Sequence, residues 1–166
     1  MGLLDFFRKS SKSFDLNAVL QNEDAHKVVM DVDDQLNRLS NYGDDVDLLN
    51  DLQKVALYVG NLEREINNGG FSQFYWNSSG EFAEETVVSL QEIGALETAT
   101  IVHKANNEFP HGEVARSKEA RIAIINGIEE NAEKVWAQCD QEFYKYPDDL
   151  AGLLAKFISE NRQAFE

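Results

Sequence analysis

From Val46 onward the apolar residues Leu48, Leu52, Val55, Val59, Leu62 and Ile66 recur at alternating steps of four and three. That spacing returns side chains to one face of an α-helix and does not fit the period-two alternation of a half-buried strand. A second stripe, Val28, Val29, Val32, Leu36 and Leu39, precedes it and runs out at Asn41-Tyr42-Gly43, residues suited to stopping a helix. Only Pro110 and Pro147 interrupt the 166 residues. The expected class is therefore all-α, beginning with two antiparallel helices on a short connection. With 43% hydrophobic residues there is apolar material for one core, so a single compact multi-helix domain is expected. Residues 1–43 read as a helical extension packed on a domain formed by residues 44–166.

Glycines punctuate the rest. Gly69-Gly70 is expected to end the long helix, since glycine accepts a left-handed conformation at little steric cost. A short aromatic helix follows. Ser78, with Glu81 three residues later, reads as a capping box opening a helix through Phe82, Val87, Leu90 and Ile93, which Gly94 breaks. Leu96, Ala99, Val102, Ala105 and Phe109 form the next, stopping before Pro110. Ser117 caps a stretch that buries Ile128, Ala132, Val135, Cys139 and Phe143, with Gly127 dividing it. Pro147 fits the first position of a last helix, with Asp148 and Asp149 in its first turn and Leu150, Leu153, Leu154, Phe157 and Ile158 docking it.

Thirty acids against fifteen bases give a net charge of −15, a field that argues against direct binding to nucleic acid or to an anionic membrane surface. No apolar run approaches the roughly 20 residues of a membrane span. At the N-terminus the cations Arg8 and Lys9 follow the apolar residues Leu3, Leu4, Phe6 and Phe7, the reverse of a secretory signal, so a cytoplasmic protein is expected. Met1–Lys12 read as a short amphipathic segment packing on the same chain.

The charge is unevenly spread. Between Arg64 and Lys104 there is no lysine or arginine, while Glu65, Glu81, Glu84, Glu85, Glu92 and Glu97 fall there. Asp44, Asp47 and Asp51 add a strip at helical spacing. Asp44, Asp47, Asp51, Glu65, Glu81, Glu84 and Glu85 are thus the candidates for binding a basic partner. A DNA duplex carries one charge per ~1.7 Å of axis, so a ~30 Å face shows a protein roughly nine phosphates. Acids match that only where they cluster. On the helix before them Lys27 is placed to pair with Asp31 and Arg38 with Asp34, which makes an ordinary solvated face.

Catalytic patterns are missing from the sequence. His26, His103 and His111 lack zinc-hydrolase spacing, and Asp31–Leu36 lacks the glycine and later glutamate of a calcium loop. No lysine follows Gly69-Gly70 to make a phosphate loop. Cys139 sits on an apolar stripe and reads as a buried thiol. Glu63 and Glu65 are two apart, so on a helix they point to different sides. No catalytic residue, metal or cofactor is expected, and an enzyme would need carboxylates assembled by tertiary structure.

The segment from Asn67 to Gly80 packs Phe71, Phe74, Tyr75 and Trp76 between two turn signals. It reads as a glycine stop, an aromatic helix plugging the core, and a cap, with Gln73 and Asn77 in reach of neighbouring backbone. Its run Gly69, Gly70, Phe71, Gln73, Phe74, Tyr75 and Asn77 forms a Gly-Gly-Phe-x-Gln-Phe-Tyr-x-Asn signature. With the ending Phe143-Tyr144, Asp148-Asp149-Leu150, Phe157-Ile158 and Phe165, this resembles a bacterial family of unknown-function domains related to DNA-mimic proteins, over residues 44 to 166. The resemblance implies an all-helical fold in which the signature is structural. For a DNA-mimic relative it implies a homodimer whose acidic surface occupies the DNA-binding site of a transcription regulator. The expected function is a non-enzymatic acidic binding protein of this kind. The alternative is a partner-specific inhibitor or immunity-type protein that recognises one target without mimicry.

Overall fold

The computed structural model describes residues 14–166, so the expectation for Met1–Lys12 lies outside the described residues. Helices account for all the regular structure there: α1 Leu16–Leu20, α2 Ala25–Leu39, α3 Asp51–Trp76, α4 Ala83–Glu92, α5 Leu96–Asn106, α6 Lys118–Phe143 and α7 Leu150–Glu160. Central to the packing is α3, which lies against α2, α4, α6 and α7, while α5 lies between α4 and α6 and α2 also packs on α7. One hydrophobic cluster runs from Leu16 to Phe165 and takes in Val29, Val32 and Leu36 of α2, so the N-terminal helices share the core of the rest.

Capping sets where helices begin. Asn50 and Gln53 form a reciprocal box, the Gln53 N–H donating to Asn50 Oδ1 at 2.9 Å and the Asn50 N–H to Gln53 Oε1 at 3.0 Å. The long helix therefore starts at Asp51. Residues Val46–Leu48 form a separate 3-10 turn that buries Val46 and leaves Leu48 70% exposed, which corrects the place of Leu48 on the stripe. Leu39 and Leu96, at the ends of their stripes, are also exposed. Ser78 makes no capping bond, and a 3-10 turn over Ser78–Phe82 delays α4 to Ala83. Gly127 does not divide α6, which runs unbroken past it. Gly94, at φ +85°, does separate α4 from α5. The last helix starts at Leu150 with Asp149 as its cap, so Pro147 lies outside it. Asp148 instead serves α5, accepting from the Thr98 N–H at 2.7 Å and the Thr98 hydroxyl at 2.8 Å.

The glycine pair breaks α3 from within. Gly70 has φ +73° and ψ −172°, and a Cβ there would lie 2.3 Å from Asp140 Oδ2. Both conformation and space demand glycine. Asp140 Oδ1 accepts from the Phe71 N–H at 2.8 Å and so caps the second half of α3. That half buries Phe71, Phe74 and Tyr75 completely, with the Tyr75 ring 4.9 Å from Phe109 and 5.0 Å from Trp136. The Tyr75 hydroxyl donates to Asn106 Oδ1 at 2.6 Å. At the far end the buried Arg121 guanidinium donates to the carbonyls of Tyr75, Asn77, Ala115 and Arg116 at 2.7–2.9 Å. It closes the C-terminus of the aromatic helix, where partial negative charge gathers. Burial lowers its basicity, opposed by Glu81 and Glu119.

Candidate partner-binding groove

Asn41, Tyr42 and Gly43 take successive positive φ values of 49°, 59° and 92° and turn the chain sharply after α2. Buried Ser40 holds this turn, its hydroxyl donating to the Leu36 carbonyl at 2.8 Å and accepting from the Gly43 N–H at 3.2 Å. Val46 and Leu49 then anchor inward, which leaves Asp44, Asp45 and Asp47 in solvent. Opposite them the Ser78–Phe82 turn lays Phe82 on Tyr58 of α3, the rings stacked 4.8 Å apart at 22°.

Two adjoining hollows meet over this stack. The larger, of about 560 Å³, is lined by Asp47, Asp51, Lys54, Val55, Glu84, Glu85, Val88 and Arg116, and the smaller, of about 370 Å³, by Asp44, Asp45, Asp47, Leu48, Glu81 and Arg116, with Tyr58 and Phe82 common to both. Among the described residues, seven carboxylates thus face two cations. Arg116 pairs with Glu85, and Lys54 lies 3.5 Å from Asp47. Among the described residues, Asp44, Asp45, Asp51, Glu81 and Glu84 have no cationic side chain in contact. The other oxygen of Glu85 is buried, with no hydrogen-bond donor among the described residues. Burial pushes the Tyr58 hydroxyl up from its ordinary value, against Arg116 and with Asp47, Glu81 and Asp51 adding to the rise.

Six of the seven acids named from the sequence therefore converge, but not as a helical strip. Asp44 lies in the turn after α2, Asp47 in a 3-10 turn, and Asp51 opens α3. Asp45 joins them and was missed, because helical spacing from Asp44 skips its neighbour. Glu65 stands apart. Its carboxylate accepts from Gln73 at 2.7 Å, Asn77 at 2.9 Å and the Ser79 hydroxyl at 3.4 Å. Gln73 and Asn77 thus bind a carboxylate rather than backbone, tying the aromatic half of α3 to the helix before the glycine break. Gly69 and Gly70 take the non-helical backbone of the break, and Phe71, Phe74 and Tyr75 are buried in the core.

A further crevice, of about 370 Å³, lies beside α2 and α3 and contains the Asp33–Arg64 pair at 2.7 Å. His26, His103 and His111 are all exposed, and the described residues contain no group of three or more His, Cys, Asp or Glu placed to hold a metal. Cys139 is fully buried, which pushes its thiol up to about 11. No described helix is long and apolar enough to cross a membrane. Searches of curated proteins and of solved structures return no match. A family model described as DMP19-like protein matches residues 47–161, a span that takes in α3 to α7 and the groove acids from Asp47 to Glu85. By that match, over more than half its length, the chain belongs to the DMP19-like protein family.

Proposed function

We propose that this chain is a non-enzymatic binding protein whose acidic groove occupies the nucleic-acid-binding surface of a basic regulatory protein. The observation that carries this reading is the convergence of Asp44, Asp45, Asp47, Asp51, Glu81, Glu84 and Glu85 around two adjoining hollows where, among the described residues, Lys54 and Arg116 are the cations. Seven carboxylates approach the roughly nine phosphates that a ~30 Å duplex face presents to a protein. They come from turns and helix starts on different parts of the chain, so their relative positions are held by the core and not by flexible tails. Membership in the DMP19-like family supports the same reading.

Exposed charge of this kind acts mainly on encounter rate and specificity and is screened over about 10 Å at 0.1 M salt. Competition tests it: basic DNA-binding regulators are loaded with labelled duplex at low salt and the protein is titrated in. Displacement is expected, weakening as salt rises. Combined substitution Asp44→Asn, Asp47→Asn, Asp51→Asn and Glu84→Gln should abolish it. Undiminished displacement by that variant refutes the reading.

A further inference from the structure

The groove is not a uniform sheet of charge. Its floor is the stacked Tyr58–Phe82 pair, and two bulky apolar side chains stand at its borders: Leu48 beside the smaller hollow, 70% exposed, and Val88 beside the larger, 60% exposed. A single exposed apolar side chain is ordinary, but two that flank one aromatic floor inside a carboxylate rim make a surface with two kinds of demand. Phosphate imitation needs only the rim. The apolar floor needs a covering group that a nucleic-acid-binding surface built from cations alone does not offer.

We infer that the groove receives a basic amphipathic polypeptide segment, in which arginine alternates with apolar side chains. This rests on the reading of the groove as a partner-binding surface and specifies what enters it. Charge complementarity selects the occupant: the rim repels nucleic acid and anionic lipid and attracts a cationic chain. Arginine suits the site better than lysine. Its planar guanidinium stacks on aromatic faces and forks onto carboxylates, and the rim offers it Asp44, Asp45, Asp51, Glu81 and Glu84, which have no cationic side chain in contact among the described residues. The apolar side chains of the segment cover Leu48 and Val88, removing their surface from water.

Two synthetic peptides of equal length and charge decide the matter, one alternating arginine with leucine and the other arginine with serine. Binding is followed by fluorescence anisotropy against the wild-type chain and against Leu48→Ser/Val88→Ser, both positions being exposed enough to leave the fold intact, as circular dichroism would verify. The leucine peptide is expected to bind roughly tenfold more tightly than the serine peptide and to keep more of its affinity at raised salt. The double variant should lose that advantage while holding the serine peptide as before. Equal affinities on the wild type, or an advantage that survives in the variant, overturn the inference and leave the acidic groove standing. Failure of both peptides to bind at low salt overturns the reading on which it rests.

Discussion

Gly70→Ala is the sharpest probe of how this fold is held. At φ +73° and ψ −172° the residue occupies a region that only glycine enters freely, and forcing a side chain there costs about 1–3 kcal/mol. The new methyl would also start 2.3 Å from Asp140 Oδ2 and 2.8 Å from its Cγ, so the carboxylate must move. Moving it breaks the 2.8 Å, part-buried bond from the Phe71 N–H, and a bond to a charged group is worth about 1.5–3 kcal/mol. Together the two effects predict a loss of about 2.5–6 kcal/mol, a large share of the ~5–15 kcal/mol that stabilises a domain. Urea unfolding followed by the fluorescence of the two tryptophans, Trp76 and Trp136, measures it. Asp140→Ala alone should cost the bond only, and Gly70→Ala on that background should cost less than on the wild type because the collision is gone. Strict additivity of the two substitutions, or a Gly70→Ala cost below about 1 kcal/mol, refutes the argument.

Glu65→Gln should destabilise the chain by about 1–2 kcal/mol in the same unfolding assay, because one amide cannot accept from Gln73, Asn77 and Ser79 as the carboxylate does, while competition with DNA stays unchanged. Arg121→Lys should cost at least about 2 kcal/mol, since a point ammonium cannot reach four carbonyls spread around a planar fork. Cys139, buried with its thiol held near 11, should resist iodoacetamide at neutral pH in the folded chain and react once urea unfolds it, as mass spectrometry would show. Burial raises Asp33 above its ordinary 3.8 despite Arg64, so the folded state holds that proton more tightly than the unfolded chain. Stability contributed by Asp33 therefore falls as pH rises from 3.8 through the raised folded value. Measured against Asp33→Asn, the wild type should gain stability as pH is lowered through that window.

Local chemistry is what the chain announces before it folds. The stripe from Leu52 to Ile66, the stop at Gly69-Gly70, the cap at Ser117 and the burial of Cys139 are all recovered in the structure, because helix periodicity, glycine backbone freedom and capping act between residues a few positions apart. Misreadings fall where a local signal had a competitor. Asn50 and Gln53 outbid Val46 for the helix start, and a turn took Ser78. The two carboxylates that cap from a distance, Asp140 at Phe71 and Asp148 at Thr98, left no trace in spacing, and no local pattern marks Arg121 for burial.

The acidic groove shows the same division. That the first half is rich in carboxylates and poor in cations is a property of the sequence. That Asp44–Asp51 face Glu81–Glu85 across Tyr58 and Phe82, while Glu65 turns to its own helix, follows from how α3 and α4 pack and where the turns between them bend. Spacing along a chain fixes angles around one helix axis only. The distance between two helices depends on every side chain buried between them.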